Sequence, residues 1–415
     1  MIPIPEDDSG LVRTTRWLVK RFGTYYQGTK LELPSRYTKR EWAFMYFDKS
    51  FMIRHLGFQG RSKIEDYVRT QVPRHAYYST AFYEEPAART MVEKGWQGAT
   101  LIFDLDADHI EGASEIGYEE MLKVVKKEFI KLVDLWLVKK LGVDPENIQM
   151  VFSGGRGYHA HIEEQNTLEL NAFERREIVD LVTGKADLSN FLRAVPFHSG
   201  TRMDGRGYSS KTFMLPDPNK GSWRGDLASE TILFFKNLDF LIKDDMREQA
   251  AIALSDVTDK DEQEAMDFLD FLEQSDNAGN RRIDRLINDH RLDFEKGLGK
   301  TFWNRLAERL FVRMAGEADE PVTADTKRLI RLPSSLHGKT GFRVTKLTRD
   351  QLDDFDPTID ALAFGEDPIE VEAHVDATFG LGGLEHTLTA ERRTTLPEYT
   401  AAFALLRGMA QIPPD

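Results

Sequence analysis

No cysteine occurs in the 415 residues, which excludes disulfides and any zinc site built from thiolates. Long apolar runs are missing as well: none approaches the roughly 18 residues that a membrane span requires. The opening Met1-Ile-Pro-Ile-Pro-Glu-Asp-Asp lacks the basic-then-apolar order of a secretory signal, so the expectation is a cytoplasmic protein. Nor is there an excess of positive charge. Fifty-five Lys and Arg against 69 Asp and Glu leave a net charge of -14, so contact with nucleic acid would have to come from a local basic cleft. Internal repeats and low-complexity tracts are absent, which removes solenoids and linkers from consideration. What remains is a 41% hydrophobic, globular chain whose length suggests two or three domains.

The first hundred residues combine a helical pattern over Leu11 to Phe22 with aromatic-rich strand patterns, Trp42 to Phe47 and Phe51 to Arg54, spaced as a hairpin around Asp48-Lys49-Ser50. Ser114 to Leu141 carries apolar residues at helical intervals and stops before Gly142. Short strands are expected at Ile148 to Phe152 and Tyr158 to Ile162, and a helix at Ala172 to Leu181. Residues 228–300 are rich in Asp, Glu, Leu and Phe with few strand formers, and read as a helical lobe or insertion. Strand patterns return at Lys327 to Leu332 and Phe342 to Lys346, and a last helix is expected at Leu396 to Gly408.

Two segments carry most of the chemistry. In Leu101-Ile-Phe-Asp-Leu-Asp-Ala-Asp108 strand alternation places Asp104 and Asp106 on one face, with Asp108 following, behind an apolar run that marks a buried strand. Like charges this close raise a pKa unless a cation intervenes, and a hard-oxygen pair suits Mg²⁺ or Mn²⁺. The plain alternative is a solvated carboxylate pair. In Ser153-Gly-Gly-Arg-Gly-Tyr-His159 three glycines let backbone N–H groups approach an anion. Arg156 can fork two phosphate oxygens there, with Ser153 and His159 donating to others; the alternative is a tight turn. His159 and His161 form a His-x-His pair, which leaves a metal hydrolase as a minority reading. Further on, Asp319 to Gly341 gathers Asp325, Arg328, Arg331, His337 and Lys339. Alternation turns at least one of its arginines to the working side of the sheet, where it would need an anion. Glu41 and Arg54 read as an ordinary cross-strand ion pair, and Arg202 with Gly205-Arg-Gly-Tyr-Ser-Ser-Lys211 as an exposed loop able to touch a nucleic-acid backbone.

Arg40-Glu-Trp-Ala-Phe, Arg54-His55, His75-Ala-Tyr-Tyr-Ser-Thr-Ala, Phe103-Asp-Leu-Asp-Ala-Asp-His, Ser153-Gly-Gly-Arg-Gly-Tyr-His and Arg328-Leu-Ile-Arg-Leu-Pro-Ser-Ser-Leu-His-Gly-Lys-Thr-Gly, in this order from Thr38 to Lys346, resemble the catalytic small subunit of archaeal and eukaryotic DNA primase. The resemblance implies an α+β fold: a primase-polymerase core of mixed sheets with an RNA-recognition-like unit, flanked by helices. On that basis the core is expected at 1–227 and 301–385, the helical lobe at 228–300, and a C-terminal helical tail at 386–415. It implies a DNA-directed nucleotidyltransferase that makes short primers on single-stranded DNA for replication. The cofactor would be Mg²⁺ or Mn²⁺ and the substrates ribonucleotides, with deoxynucleotides as the open alternative. A large primase subunit would complete a heterodimer. Asp104 and Asp106 match the paired metal ligands and Asp319 the third, with Asp325 close enough to exchange with it. Ser153, Arg156, His159, Arg331 and His337, with Lys339 beside them, match the phosphate contacts, and Glu41 and Arg54 the sugar and base side. A repair-type relative that only extends primers would use the same residues. The family's cysteine zinc site has no counterpart, so structural zinc is not expected.

Overall fold

The computed structural model of the chain describes residues 9–110, 112, 116–201, 207–275, 279–292 and 300–414. The strands are β1 (Trp42–Met45), β2 (Ile53–Leu56), β3 (His75–Ser79), β4 (Ala81–Tyr83), β5 (Trp96–Ala99), β6 (Leu101–Asp106), β7 (Ile148–Phe152), β8 (Gly157–Ile162), β9 (Arg193–Thr201), β10 (Gly207–Met214), β11 (Leu329–Arg331) and β12 (Thr345–Leu347). Near the C-terminus follow β13 (Pro368–Ala373), β14 (Ala377–Leu381), β15 (Leu384–Leu388), β16 (Arg393–Pro397) and β17 (Ala410–Gln411). Small antiparallel sheets and many helices make this an α+β protein.

Two four-stranded sheets frame the chemistry. One runs β11-β3-β1-β2 and the other β12-β7-β8-β6. In both, a strand from beyond residue 317 completes one edge, so neither sheet is finished until the last hundred residues are in place. The first sheet forms because Trp42, Phe44, Ala76 and Tyr78 are buried in a cluster with Leu18, Phe22 and Tyr26 of the helix Gly10–Gly28. Ala401, Ala404 and Leu405 of the helix Glu398–Leu406 close the same cluster. The chain ends meet there as well: Ile412 N donates to Thr14 Oγ1 at 2.9 Å, and Arg13 Nε to Ile412 O at 3.2 Å.

The helix expected from Ser114 is α-helical over Tyr118–Lys131 and continues as a π-helix over Leu132–Lys140, with Leu141 N bonded to Trp136 O at 2.9 Å before Gly142. Its buried stripe of Met121, Leu122, Val125, Phe129, Leu132, Val133 and Trp136 follows the expected apolar face. No described helix is long and apolar enough to cross a membrane.

The chain divides into two compact units, Met1–Val179 with Glu317–Asp415, and Asp180–Gly316. The helix-rich stretch read as 228–300 therefore lies inside a larger unit that begins near 180 and includes the β9–β10 hairpin. Aromatic packing explains the wider limits. Trp223 contacts Phe311 at 5.6 Å between ring centres and Phe235 contacts Trp303 at 5.9 Å, tying the helices Trp223–Lys243 and Lys300–Met314 together. Residues 386–415 are not simply a helical tail: they carry the end of β15, all of β16, the helix Glu398–Leu406 and β17. Half-exposed strands such as β14 and β16 show only weak apolar alternation, which hides them in sequence. Of the Arg202 to Lys211 loop, residues 202–206 lie outside the described residues, and the rest falls in β10.

Candidate active site

In β6, Leu101, Ile102, Phe103 and Leu105 are buried, while Asp104 and Asp106 are partly exposed. The β6–β8 register sets Asp104 opposite His159 and Asp106 opposite Gly157. Gly157 is required, because a Cβ there would lie 2.4 Å from Leu105 O. At the turn itself Gly154 has φ +77°, and a Cβ would come within 2.7 Å of the His337 Cβ. The chain after Gly316 brings a third acid: Asp319 N donates to Asp104 O at 2.9 Å, while its carboxylate caps the short helix Glu320–Ala324. Of the two aspartates left open by the sequence, Asp319 is the neighbour of Asp104. The carboxylate of Asp325 accepts from Lys327 N at 2.8 Å.

Asp104 is 19% exposed, and its pKa is pushed up to about 7 by burial, then by the charges of Asp106 and Asp319, against a smaller opposing pull from Arg331 and Arg328. Its Oδ1 lies 3.3 Å from His159 Nε2. Burial holds His159 far below its ordinary pKa, so the ring beside this carboxylate is neutral. Asp106 Oδ1 sits 3.2 Å from Arg156, which also contacts Asp108 beyond the strand end. Among the described residues no three His, Asp or Glu side chains form a ready-made metal cage. The acids instead face neighbouring donors, and the donor set fits a divalent cation in kind: hard oxygens, clustered, with one mostly buried and repelled by the others.

Beside the acids opens a cavity of about 550 Å³. Arg74, Arg156, Arg331, Lys339 and Arg407 line it against a single carboxylate, Asp106, and Ser153, His337 and Thr340 supply neutral groups. Arg331 lies over the Tyr77 ring at 5.4 Å, and its Nε is buried with no hydrogen-bond partner. His337 Nδ1 meets Thr340 Oγ1 at 3.1 Å, and that hydroxyl donates to Gly154 O, locking the loop after β11 onto the glycine turn. Arg74 Nε donates to Gly338 O at 2.6 Å, and Gly338 N donates to His75 Nδ1 at 3.3 Å. Five cations around one acid make a site for a polyanion.

His75 and His161 have pKa values lowered to about 3, and that of His337 is also far below normal. Burial is the chief cause in each, and for His75 and His337 Arg331, Arg74 and Lys339 add to it. In the unfolded chain these rings protonate near 6.5, so the stability they confer is complete above that pH and is lost as the solution is acidified. Each costs roughly 2 kcal/mol at pH 5. Asp104 opposes the trend, since acidification relieves its charge. Urea unfolding in EDTA should therefore show a net loss of a few kcal/mol between pH 7.5 and 5, with a shallower slope for His161→Gln; an equal slope for the variant would contradict this.

Glu41 and Arg54 do not line the cavity. Glu41 is buried and contacts Lys94 Nζ, itself 1% exposed, while Arg54 Nε reaches the other carboxylate oxygen at 3.1 Å. Burial alone would raise the pKa of Glu41, but hydrogen bonds from Lys94, Arg54 and the His55 N–H hold it below the ordinary range. Removing one partner of such a pair strands a charge, so Lys94→Met should lower stability by about 3 kcal/mol. A denaturation midpoint equal to that of the parent would show the pair to be inconsequential. The other placements are plain. Ser153, Arg156, Arg331, His337 and Lys339 come together in the cavity, His159 contacts Asp104, and His161 points its Nδ1 at the Tyr78 hydroxyl, 3.4 Å away.

Sequence reasoning passed over Arg74 and Arg407. Arg74 directly precedes the His75-Ala-Tyr-Tyr segment and could have been read with it. Arg407 gives no such signal beyond being the one charge between a buried helix and Gly408.

Comparison with known proteins gives a consistent result. Residues 103–349 match the family described as DNA primase small subunit. The DNA primase small subunit PriS of Methanothrix thermoacetophila is 38% identical over 411 residues, covering 96% of this chain and 99% of that protein. That of Methanococcoides burtonii is 38% identical over 415 residues, covering 97% and 100%. That of Methanospirillum hungatei is 36% identical over 412 residues, covering 96% and 97%. A cluster of partly exposed aspartates beside a polycationic cavity is thus carried by a chain that belongs to the DNA primase small subunit family.

Proposed function

We propose that this chain is the catalytic subunit of a DNA primase, joining nucleotides on a single-stranded DNA template by two-metal nucleotidyl transfer. The observation that carries the reading is that Asp106 belongs both to the acid cluster with Asp104 and Asp319 and to the wall of the five-cation cavity. Asp104, Asp106 and Asp319 would hold Mg²⁺ or Mn²⁺, which when bound supplies Lewis-acid activation of a 3′-hydroxyl and neutralises charge on the leaving pyrophosphate.

The chain's own residues do the positioning. Arg156 and Arg331 hold the triphosphate so that its α-phosphorus faces the acids, and Ser153 and the glycine-turn amides donate to its oxygens. His159, neutral and fixed by burial, orients the Asp104 carboxylate without competing for it as a cation. The bond formed joins the 3′-oxygen to the α-phosphorus, the bond broken releases pyrophosphate, and the hydroxyl proton leaves to solvent. The sheets β11-β3-β1-β2 and β12-β7-β8-β6 would be the two halves of a primase-polymerase core, the latter its RNA-recognition-like unit. Ribonucleotides are the expected substrates, with deoxynucleotides the alternative. A large subunit completing a heterodimer would supply template contacts that a chain of net charge -14 lacks overall.

The test supplies unprimed single-stranded DNA, labelled nucleotides of either sugar and Mg²⁺ or Mn²⁺, with and without a primer. Short products made without a primer support the reading. Extension of primed template alone would move the protein to gap-filling synthesis, and no incorporation in any arm would remove the polymerase reading.

A further inference from the structure

The C-terminal segment contributes Leu406 and one cation, Arg407, to the phosphate cavity. The helix Glu398–Leu406 is buried along its whole length, and Arg407 follows it as the first exposed position. Its backbone is fixed on both sides. Arg407 N donates to Phe403 O at 3.2 Å, Gly408 turns the chain at φ +72°, Met409 N bonds to Ala404 O at 2.9 Å, and Ala410 and Gln411 pair with β13.

The Arg407 guanidinium lies over two rings, Tyr118 at 5.2 Å and Phe403 at 5.0 Å, and among the described residues no carboxylate pairs with it. The Tyr118 hydroxyl in turn donates to Gly155 O at 2.7 Å. Arg407 is therefore stacked on a ring bonded to the glycine turn, at the wall of a cavity that already holds four other cations. A cation brought so close to like charges, held in place by rings and left without an acid, is suited to an anion that arrives from solution.

We propose that Arg407 binds the terminal phosphates of the incoming nucleotide, the part that departs as pyrophosphate. This rests on the polymerase reading above and deepens it. Position separates its role from that of Arg156: Arg156 touches Asp106, on the side of the acids, whereas the Arg407 guanidinium, among the described residues, lies over aromatic rings and no carboxylate. The matched family region ends at residue 349, so this cation comes from chain outside that match.

The experiment compares the full-length protein with Arg407→Gln, Arg407→Lys and Arg156→Ala. Inorganic tripolyphosphate binding is measured by calorimetry in EDTA, nucleotide KM and kcat on primed template, and the melting temperature of each variant. Expected for Arg407→Gln are about tenfold weaker tripolyphosphate binding and a matching rise in KM. Its kcat should stay within about twofold and its melting temperature at that of the parent, while Arg407→Lys recovers part of the affinity. Were Arg407 only a staple for the C-terminal helix, Arg407→Gln would melt earlier and bind tripolyphosphate as the parent does, which overturns the proposal. Loss of binding in Arg156→Ala with none in Arg407→Gln also overturns it while sparing the polymerase reading. A parent protein that binds no tripolyphosphate overturns the proposal, and its nucleotide incorporation then decides the polymerase reading separately.

Discussion

Asp106→Asn is expected to reduce nucleotide incorporation by about a thousandfold or more while leaving the folded protein intact. The side chain is 32% exposed and engages Arg156 at 3.2 Å, so an amide of the same shape keeps the packing and removes only the charge. That charge is what the site requires, because losing several kcal/mol of transition-state stabilisation costs tenfold for each ~1.4 kcal/mol. Exposed ion pairs contribute little to stability, so the melting temperature should move by no more than about 2 °C. Asp104→Asn should be equally inactive yet melt higher than the parent in metal-free buffer, since it removes a buried charge repelled by Asp106 and Asp319. Incorporation within twofold of the parent in Asp106→Asn would end the metal-site interpretation. A lower melting temperature for Asp104→Asn would show that the carboxylate has structural partners that outweigh the repulsion.

The second large effect is expected at Arg331. Its guanidinium is stacked on Tyr77, and its Nε is buried without a partner. Such a group is costly in the empty protein, and an anion that meets it regains what burial removed. Arg331→Ala should lower kcat/KM for the nucleotide by about 100-fold, the scale of losing one preorganised donor to developing charge. Arg331→Lys should recover little of it, because an ammonium has neither the planar face for Tyr77 nor the fork for two phosphate oxygens. The Ala variant should also be at least as stable as the parent, because the orphaned Nε disappears with the side chain. Steady-state kinetics with urea unfolding would test both statements. Full rescue by lysine would mean that only net charge matters there.

The acids and the glycine turn were legible because local pattern and chemistry coincide. An apolar run interrupted by Asp104 and Asp106 can only be a strand with one polar face, and β6 has the expected alternation. Ser153 to His159 similarly folds into a hairpin turn whose polar groups meet the acids through strand register. Asp319 needed more than local pattern. Its place beside the acids is marked by the backbone hydrogen bond from its N–H to Asp104 O, made after the chain returns from the 180–316 unit. Arg74 and Arg407 were hidden for a related reason. Each is one basic residue among 55 Lys and Arg, and only tertiary contact with Gly338 or Tyr118 separates it from the others. The Glu41–Lys94 pair shows the same limit. The sequence offered Arg54 as a partner of Glu41, because β1 and β2 are adjacent, and that pair forms; the second partner, the buried Lys94 from the segment before β5, carried no local signal.

Strands β11 and β12 lie beyond residue 317, yet they border sheets whose other members precede residue 163. During ribosomal synthesis the amino-terminal strands must wait, with edges unpaired, while the whole Asp180–Gly316 segment emerges and can already settle by itself. Nascent chains arrested shortly after Gly316 would therefore expose β3 and β7 as adhesive edges for chaperones or for neighbouring polysomes. Catalytic competence would be the last property the newborn polypeptide acquires.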